Sequence, residues 1–129
     1  MVVTIALLLA MVTSACAFPE EAFDGSLEGT YYINGFDQGG TEYGGVLIID
    51  TTATPNIYEM QWIITGSLQA GTGTVSGNQL NVDWDTIEGF DASTRGTAVY
   101  EITGEGALLG ERIVDGEDGI GTEEAFPIR

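Results

Sequence analysis

Short runs of β-branched, aromatic and alternating residues recur along the chain between Gly, Asn and Asp, and their spacing constrains the fold more than any other feature. The runs are Gly29–Phe36, Tyr43–Thr51, Ile57–Thr65, Leu68–Val75, Gln79–Trp84, Gly96–Thr103, Ala107–Val114 and Gly119–Pro127, with starts 14, 14, 11, 11, 17, 11 and 12 residues apart. A strand and a tight turn fill such an interval; a crossover helix does not fit. The connections carry turn chemistry, as in Asp37-Gln38-Gly39-Gly40, Pro55-Asn56, Ser76-Gly77-Asn78 and Thr103-Gly104-Glu105-Gly106. The expected fold is all-β: an eight-stranded antiparallel up-and-down barrel of the calycin kind, which closes both sheet edges. The alternative is a two-sheet β-sandwich, which needs a long crossing between sheets. Asp85–Arg95 is the one stretch long enough for that, and in a barrel it reads as a lid or edge loop. Gly44, Gly45, Gly71, Gly73 and Gly110 inside the runs favour the barrel, whose sharply coiled strands approach closely.

Alternation then assigns the two faces of each strand. Tyr58, Met60, Trp62 and Ile64 share one face, as do Leu80, Val82 and Trp84, and likewise Ala98, Tyr100 and Ile102. These are the expected core, joined by Tyr31 and Ile33. Each large aromatic buries about 150–250 Å². Two Trp and several Tyr are therefore enough to fill a narrow eight-stranded interior.

Charge removes whole classes of function. The 129 residues hold three Arg and no Lys against twenty acids, so the formal charge is 3 − 20 = −17, and there is no His. Such a polyanion does not hold nucleic acid by phosphate neutralisation, nor an anionic membrane by charge. A chain without His has no Ser-His-Asp triad, no Cys-His pair and no typical zinc site. Absence of Lys with an excess of acids also fits adaptation to high salt, the other reading being an ordinary acidic exported domain. The acids fall in the N-terminal stretch, the turns and the outward strand faces, which makes the charge a surface property.

The N-terminal segment gives an address. Val2–Val12 is an apolar run of eleven, short for a bilayer span and right for a secretion signal. Ala15-Cys16-Ala17 offers small residues for signal peptidase I. Thr13-Ser14-Ala15-Cys16 resembles a bacterial lipobox, in which Cys16, the only Cys, is the lipidation site; Thr13 stands where that motif usually has Leu. Either way no disulfide forms within the mature chain. The expected organisation is a signal over residues 1–16, an acidic tether over 17–28 and a barrel domain over 29–129. The destination is the cell envelope through a lipid anchor, or the extracellular space.

The succession Gly29-Thr30-Tyr31, Tyr43-Gly44-Gly45, Tyr58…Trp62, Gly71-Thr72-Gly73, Asn78-Gln79-Leu80, Tyr100-Glu101-Ile102, Gly106…Gly110 and Gly121-Thr122-Glu123 resembles small secreted bacterial all-β domains of unassigned function. More distantly, the opening Gly-x-aromatic and the meander are similar to the calycin barrels, which implies a ligand in the barrel mouth. Tyr31 stands where the lipocalin first strand carries Trp, and the chain is short for a large cavity.

Candidate sites follow from these faces. Arg112 is in phase with Leu108 and Gly110 and so points into the barrel. There it either anchors a carboxylate or phosphate ligand among Trp62, Trp84, Tyr100, Tyr58 and Tyr31, or pairs with an internal acid such as Glu123 or covers an aromatic ring near the rim. Asp115, Glu117 and Asp118 form an oxygen-rich turn with the letters of a calcium loop but not the EF-hand register. Asp83 and Asp85, followed by Glu88 and Asp91, are paired carboxylates of the type glycosidases use, at a spacing any strand face provides. The expected function is a non-enzymatic binding module, with a small ligand in the mouth or a protein partner on the outer strands, and without cofactor. The alternatives are a structural envelope or surface protein with a filled barrel, and a carboxylate-dependent hydrolase. Free volume separates the first two: a void the size of a water favours the structural role, an open cavity of about 300 Å³ or more the ligand.

Overall fold

A computed structural model describes residues 25–89 and 92–129. The signal segment, Cys16 and most of the expected tether lie outside the described residues, as does Asp91. Eight strands follow in order: β1 (Gly29–Phe36), β2 (Glu42–Thr51), β3 (Ile57–Ile64), β4 (Ser67–Ser76), β5 (Gln79–Gly89), β6 (Arg95–Ile102), β7 (Leu108–Val114) and β8 (Gly121–Pro127). Each pairs antiparallel with the next, and β8 returns to β1 from Tyr31↔Pro127 to Phe36↔Thr122. The sheet is thus the closed up-and-down barrel and not the sandwich.

Closure follows from local chemistry. Two-residue turns such as Thr65-Gly66 and Gly77-Asn78 join hairpins, with Gly77 at φ 64° supplying the left-handed backbone. Inside, large side chains stand opposite glycines. Tyr100 pairs with Gly110, where a Cβ would lie 2.4 Å from the Tyr100 ring, so only Gly admits that ring.

One strand departs from the expectation. β5 continues through Asp85 to Gly89, so the Asp85–Arg95 segment is not a free lid but the end of a long hairpin. Gln69 pairs with Thr86 and Leu68 with Glu88, leaving Ile87 as the extra residue of a β-bulge. Thr86 faces inward and shares a hydroxyl–hydroxyl hydrogen bond of 2.8 Å with Thr94.

Strand direction divides the interior into two ends. Odd strands start and even strands finish at one end, which is plugged. Leu27, expected in the tether, is fully buried there. Its carbonyl accepts from Tyr31 OH at 2.6 Å and its N–H donates to Tyr58 OH at 3.4 Å. The turns 37–41 and 65–66, residues 92–94 and the loop 115–120 surround the other end, the mouth. On the outside, one lateral row stays apolar: Phe126 pairs with Tyr32, Tyr32 with Val46, and Val46 with Ile63.

Candidate functional site

Below the mouth the interior becomes polar, and its centre is Glu123. This carboxylate, expected with the other acids on the surface unless paired with Arg112, is fully buried, while every other described Asp and Glu is exposed. Being early in β8 places it just inside the mouth, and its neighbours across the ladder, Gly35 and Gly110, leave room beside it. Oε1 accepts from Tyr43 OH at 2.6 Å and from Arg112 Nη1 at 3.0 Å. Oε2 accepts from Tyr100 OH at 2.6 Å and from Trp62 Nε1 at 2.9 Å. Four donors replace the water that a buried carboxylate loses.

Arg112 projects inward from β7 and is 7% exposed. Its Nη1 is ion-paired to Glu123, and its Nη2 donates to Gln69 Oε1 at 2.7 Å. The guanidinium lies 4.3 Å from the Trp84 ring centroid and 5.2 Å from that of Trp62, within cation–π range. Among the described residues its Nε finds no hydrogen-bond partner although it is buried. Arg112 thus pairs with the internal acid Glu123 and lies over the Trp rings.

The local charges set the protonation states. Burial, then the negative charge of Glu123, push the phenols of Tyr43 and Tyr100 well above the usual tyrosine value, with Arg112 partly opposing. Burial by itself would lower the Arg112 guanidinium; Glu123, Tyr100 and Tyr43 more than offset this and the net shift is upward. Tyr31, at the plugged end, is pushed up to about 12 by burial and then by Tyr58.

Above this network lies an open cavity of about 250 Å³. Arg112, Gln69, Tyr43 and Trp84 line it with Phe36, Ile64 and Val114, while Asp37, Gln38 and Glu117 stand at its rim. Asp37 Oδ1 accepts from the backbone N–H groups of Gly39 and Thr41, both at 2.9 Å, and Gln38 Nε2 donates to Glu117. The β5 bulge sits beside Gln69, a usual place for a bulge at a barrel rim next to a site.

Of the expected ligand residues, the structure places Arg112 and Trp84 on the cavity, and Trp62 and Tyr100 beneath Arg112 on Glu123. Tyr31 and Tyr58 belong to the plugged end, around Leu27, and do not reach the mouth. Tyr43 and Gln69 were not anticipated. Both were legible as inward, Tyr43 in phase with Leu47 and Ile49, Gln69 with Gly71 and Gly73. Asp115, Glu117 and Asp118 are exposed loop residues, and among the described residues no group of three or more His, Cys, Asp or Glu is gathered to hold a metal ion. Asp83 and Asp85 point outward from β5, and Asp85 meets Arg95 at 3.6 Å in an exposed ion pair.

No protein-family model matches the sequence, and no curated protein matches it. Among solved structures the chain is similar to a redesigned β-barrel at 12% identity, with a TM-score of 0.67 over 80% of this chain and 92% of that one. A second redesigned barrel, mFAP1, bound to DFHBI, has 13% identity and a TM-score of 0.65 over 79% and 94% of the two chains. A de novo designed fluorescence-activating barrel has 13% identity and a TM-score of 0.61 over 78% and 93%. At such identities the likeness is one of fold.

Proposed function

We propose that the domain is a non-enzymatic binding module that takes a small ligand through the barrel mouth. One observation carries this reading: a barrel whose other end is filled by Leu27 and aromatic rings keeps an open cavity of about 250 Å³ lined by Arg112, Gln69, Tyr43 and Trp84. A few polar groups among aromatic and apolar walls are the usual lining of a ligand pocket, and Arg112 and Gln69 beside Trp84, Tyr43, Ile64 and Val114 make such a lining. The volume exceeds one water's share of about 30 Å³ several-fold and is below the roughly 300–1,000 Å³ of drug-sized pockets. The ligand is therefore small. One of the similar barrels is bound to DFHBI and another is described as fluorescence-activating, which is consistent with this use of the architecture.

Trp84 makes the test optical. Titration of the domain with a library of small metabolite-like compounds is expected to give saturable changes in Trp fluorescence and a raised Tm. Ser67→Phe, which fills the mouth without touching Arg112, is expected to abolish them. A library without a single binder would leave the structural envelope role in place of this one.

The outer apolar row favours a second reading, a protein partner on the outer strands. Tyr32, Ile63 and Phe126 are 61%, 50% and 44% exposed, whereas single exposed apolar residues scattered on a surface need no explanation. Tyr32→Ser with Ile63→Ser is expected to weaken such a complex and leave mouth binding unchanged. Export, with Cys16 as the anchor or as part of a cleaved signal, belongs to the same proposal. Mass spectrometry of the mature N-terminus tests it, and an unmodified Phe18 start would rule out lipidation.

A further inference from the structure

The lining of the mouth has a direction: an uncommitted hydrogen-bond donor lies deep in it and uncompensated negative charges lie at the rim. We infer that the mouth takes a small protonated aromatic amine, which enters with an acceptor oxygen toward Gln69 and keeps its ammonium group beside Asp37 and Glu117. The inference rests on the binding reading above and names the ligand class of that site.

The deep donor is the Gln69 amide. Gln69 is 8% exposed, stands beside the β5 bulge and lines the cavity. Its Oε1 is committed to Arg112 Nη2 at 2.7 Å, whereas its NH₂ donates to nothing among the described residues. Arg112 Nε is sealed away from the cavity, but the Gln69 NH₂ borders it, so an oxygen on a guest accepts there. The rim has the opposite need. Asp37 and Glu117 are exposed, and neither has a cationic partner: among the described residues the ion pairs are Arg112–Glu123 and Arg95–Asp85. Neutral donors hold both carboxylates in place, since Asp37 Oδ1 accepts from the Gly39 and Thr41 N–H groups at 2.9 Å and Glu117 accepts from Gln38 Nε2. An ammonium group placed beside them makes charge-assisted hydrogen bonds, and the net charge of −17 draws a cation toward the opening. An anion meets repulsion at the rim, and the one guanidinium of the lining, Arg112, is already neutralised by Glu123 at 3.0 Å. A metal ion finds no cage there, because among the described residues no three His, Cys, Asp or Glu are gathered to hold one. Between rim and donor the walls are Phe36, Trp84, Ile64 and Val114, which suit a flat apolar body. At about 30 Å³ of liquid volume per water-sized unit, 250 Å³ admits about eight to ten non-hydrogen atoms, the size of a phenol with a short amine tail.

Tyramine, tyrosol and para-hydroxyphenylacetate share one phenol body and end in a positive, a neutral and a negative tail, and phenethylamine keeps the amine but lacks the ring hydroxyl. Each is titrated calorimetrically into the intact domain, in dilute buffer and in molar salt. Tyramine is expected to bind tightest, with tyrosol and para-hydroxyphenylacetate weaker by about tenfold or more and phenethylamine by about threefold or more. Salt is expected to shrink the advantage of tyramine over tyrosol. Asp37→Asn with Glu117→Gln keeps the acceptor oxygens of both turns and removes both charges. This double variant is expected to lower tyramine to the level of tyrosol and to leave tyrosol unchanged. Tyrosol or para-hydroxyphenylacetate binding as tightly as tyramine, phenethylamine matching it, or a double variant that keeps its full advantage would overturn the inference while leaving a ligand in the mouth. Failure of all four probes overturns it as well; failure of the wider library in addition removes the binding reading itself.

Discussion

Replacing Glu123 by Gln keeps the volume and one carbonyl acceptor, but leaves the Arg112 guanidinium buried without its counter-charge. The expected cost is about 3–5 kcal/mol in denaturant unfolding. Adding Arg112→Met removes the orphaned cation, so the double variant is expected to lose less than the sum of the singles by about 0.5–3 kcal/mol. Strict additivity would mean that the pair contributes nothing of its own. An apolar residue at 123 would not be neutral, as it sometimes is for simple buried pairs, because Tyr43, Tyr100 and Trp62 would each lose an acceptor. The same tyrosines set an alkaline limit. Tyr31 is raised from 10.0 to about 12, and Tyr43 and Tyr100 are raised too, so the folded chain keeps protons that the unfolded chain releases. Stability from these groups is complete below about pH 10 and lost as pH rises toward and past 12. Their phenolate absorbance is expected to appear together with loss of the β circular dichroism; ionisation of all three in an intact barrel would contradict their burial. At this scale the sequence was partly readable. Arg112 and its phase are plain in the sequence, whereas Glu123 is only one possible partner there. A single Glu among twenty acids, next to the exposed Glu124, carries no mark of burial except its place between Gly121 and Ala125.

At the scale of the strand, Gly110 is where β6 and β7 come close enough for Tyr100 to reach Glu123. An Ala there would put its Cβ 2.4 Å from Tyr100 Cδ1 and 2.5 Å from the Val99 carbonyl. Gly110→Ala is expected to cost about 1–3 kcal/mol and to weaken the Tyr100–Glu123 hydrogen bond. Thermal melting measures the first effect and an earlier alkaline ionisation of Tyr100 the second; an unchanged Tm would show that the strands have slack. Most strand positions are readable because β1, β3, β6 and the first part of β5 alternate cleanly. β5 misled at its end because the pattern inverts there. Thr86 faces in and is polar, whereas Ile87 faces out on the bulge and is apolar, so alternation points away from the true pairing. Depth along the barrel follows from the same strand order: Tyr31 and Tyr58 come early in odd strands, which puts them at the plugged end.

For the molecule as a whole, the charge has almost no local compensation. Among the described residues, the buried Arg112–Glu123 pair and the exposed Arg95–Asp85 contact are the ion pairs. A net charge of −17 is therefore left largely to solvent ions. Screening that shortens from about 10 Å at 0.1 M to about 3 Å at 1 M salt relieves the repulsion. Tm is expected to rise between dilute buffer and molar sodium chloride, and a flat response would argue against salt adaptation.

The plug gives the barrel a polarity with respect to its own chain. Because Leu27 is held by Tyr31 and Tyr58 at the end opposite the cavity, the polypeptide enters through the base of the cup. A protein fixed to any surface through its N-terminus would stand on that base with its opening turned to the surroundings. Pulling on the anchor would load Leu27 first, before any residue that touches a guest.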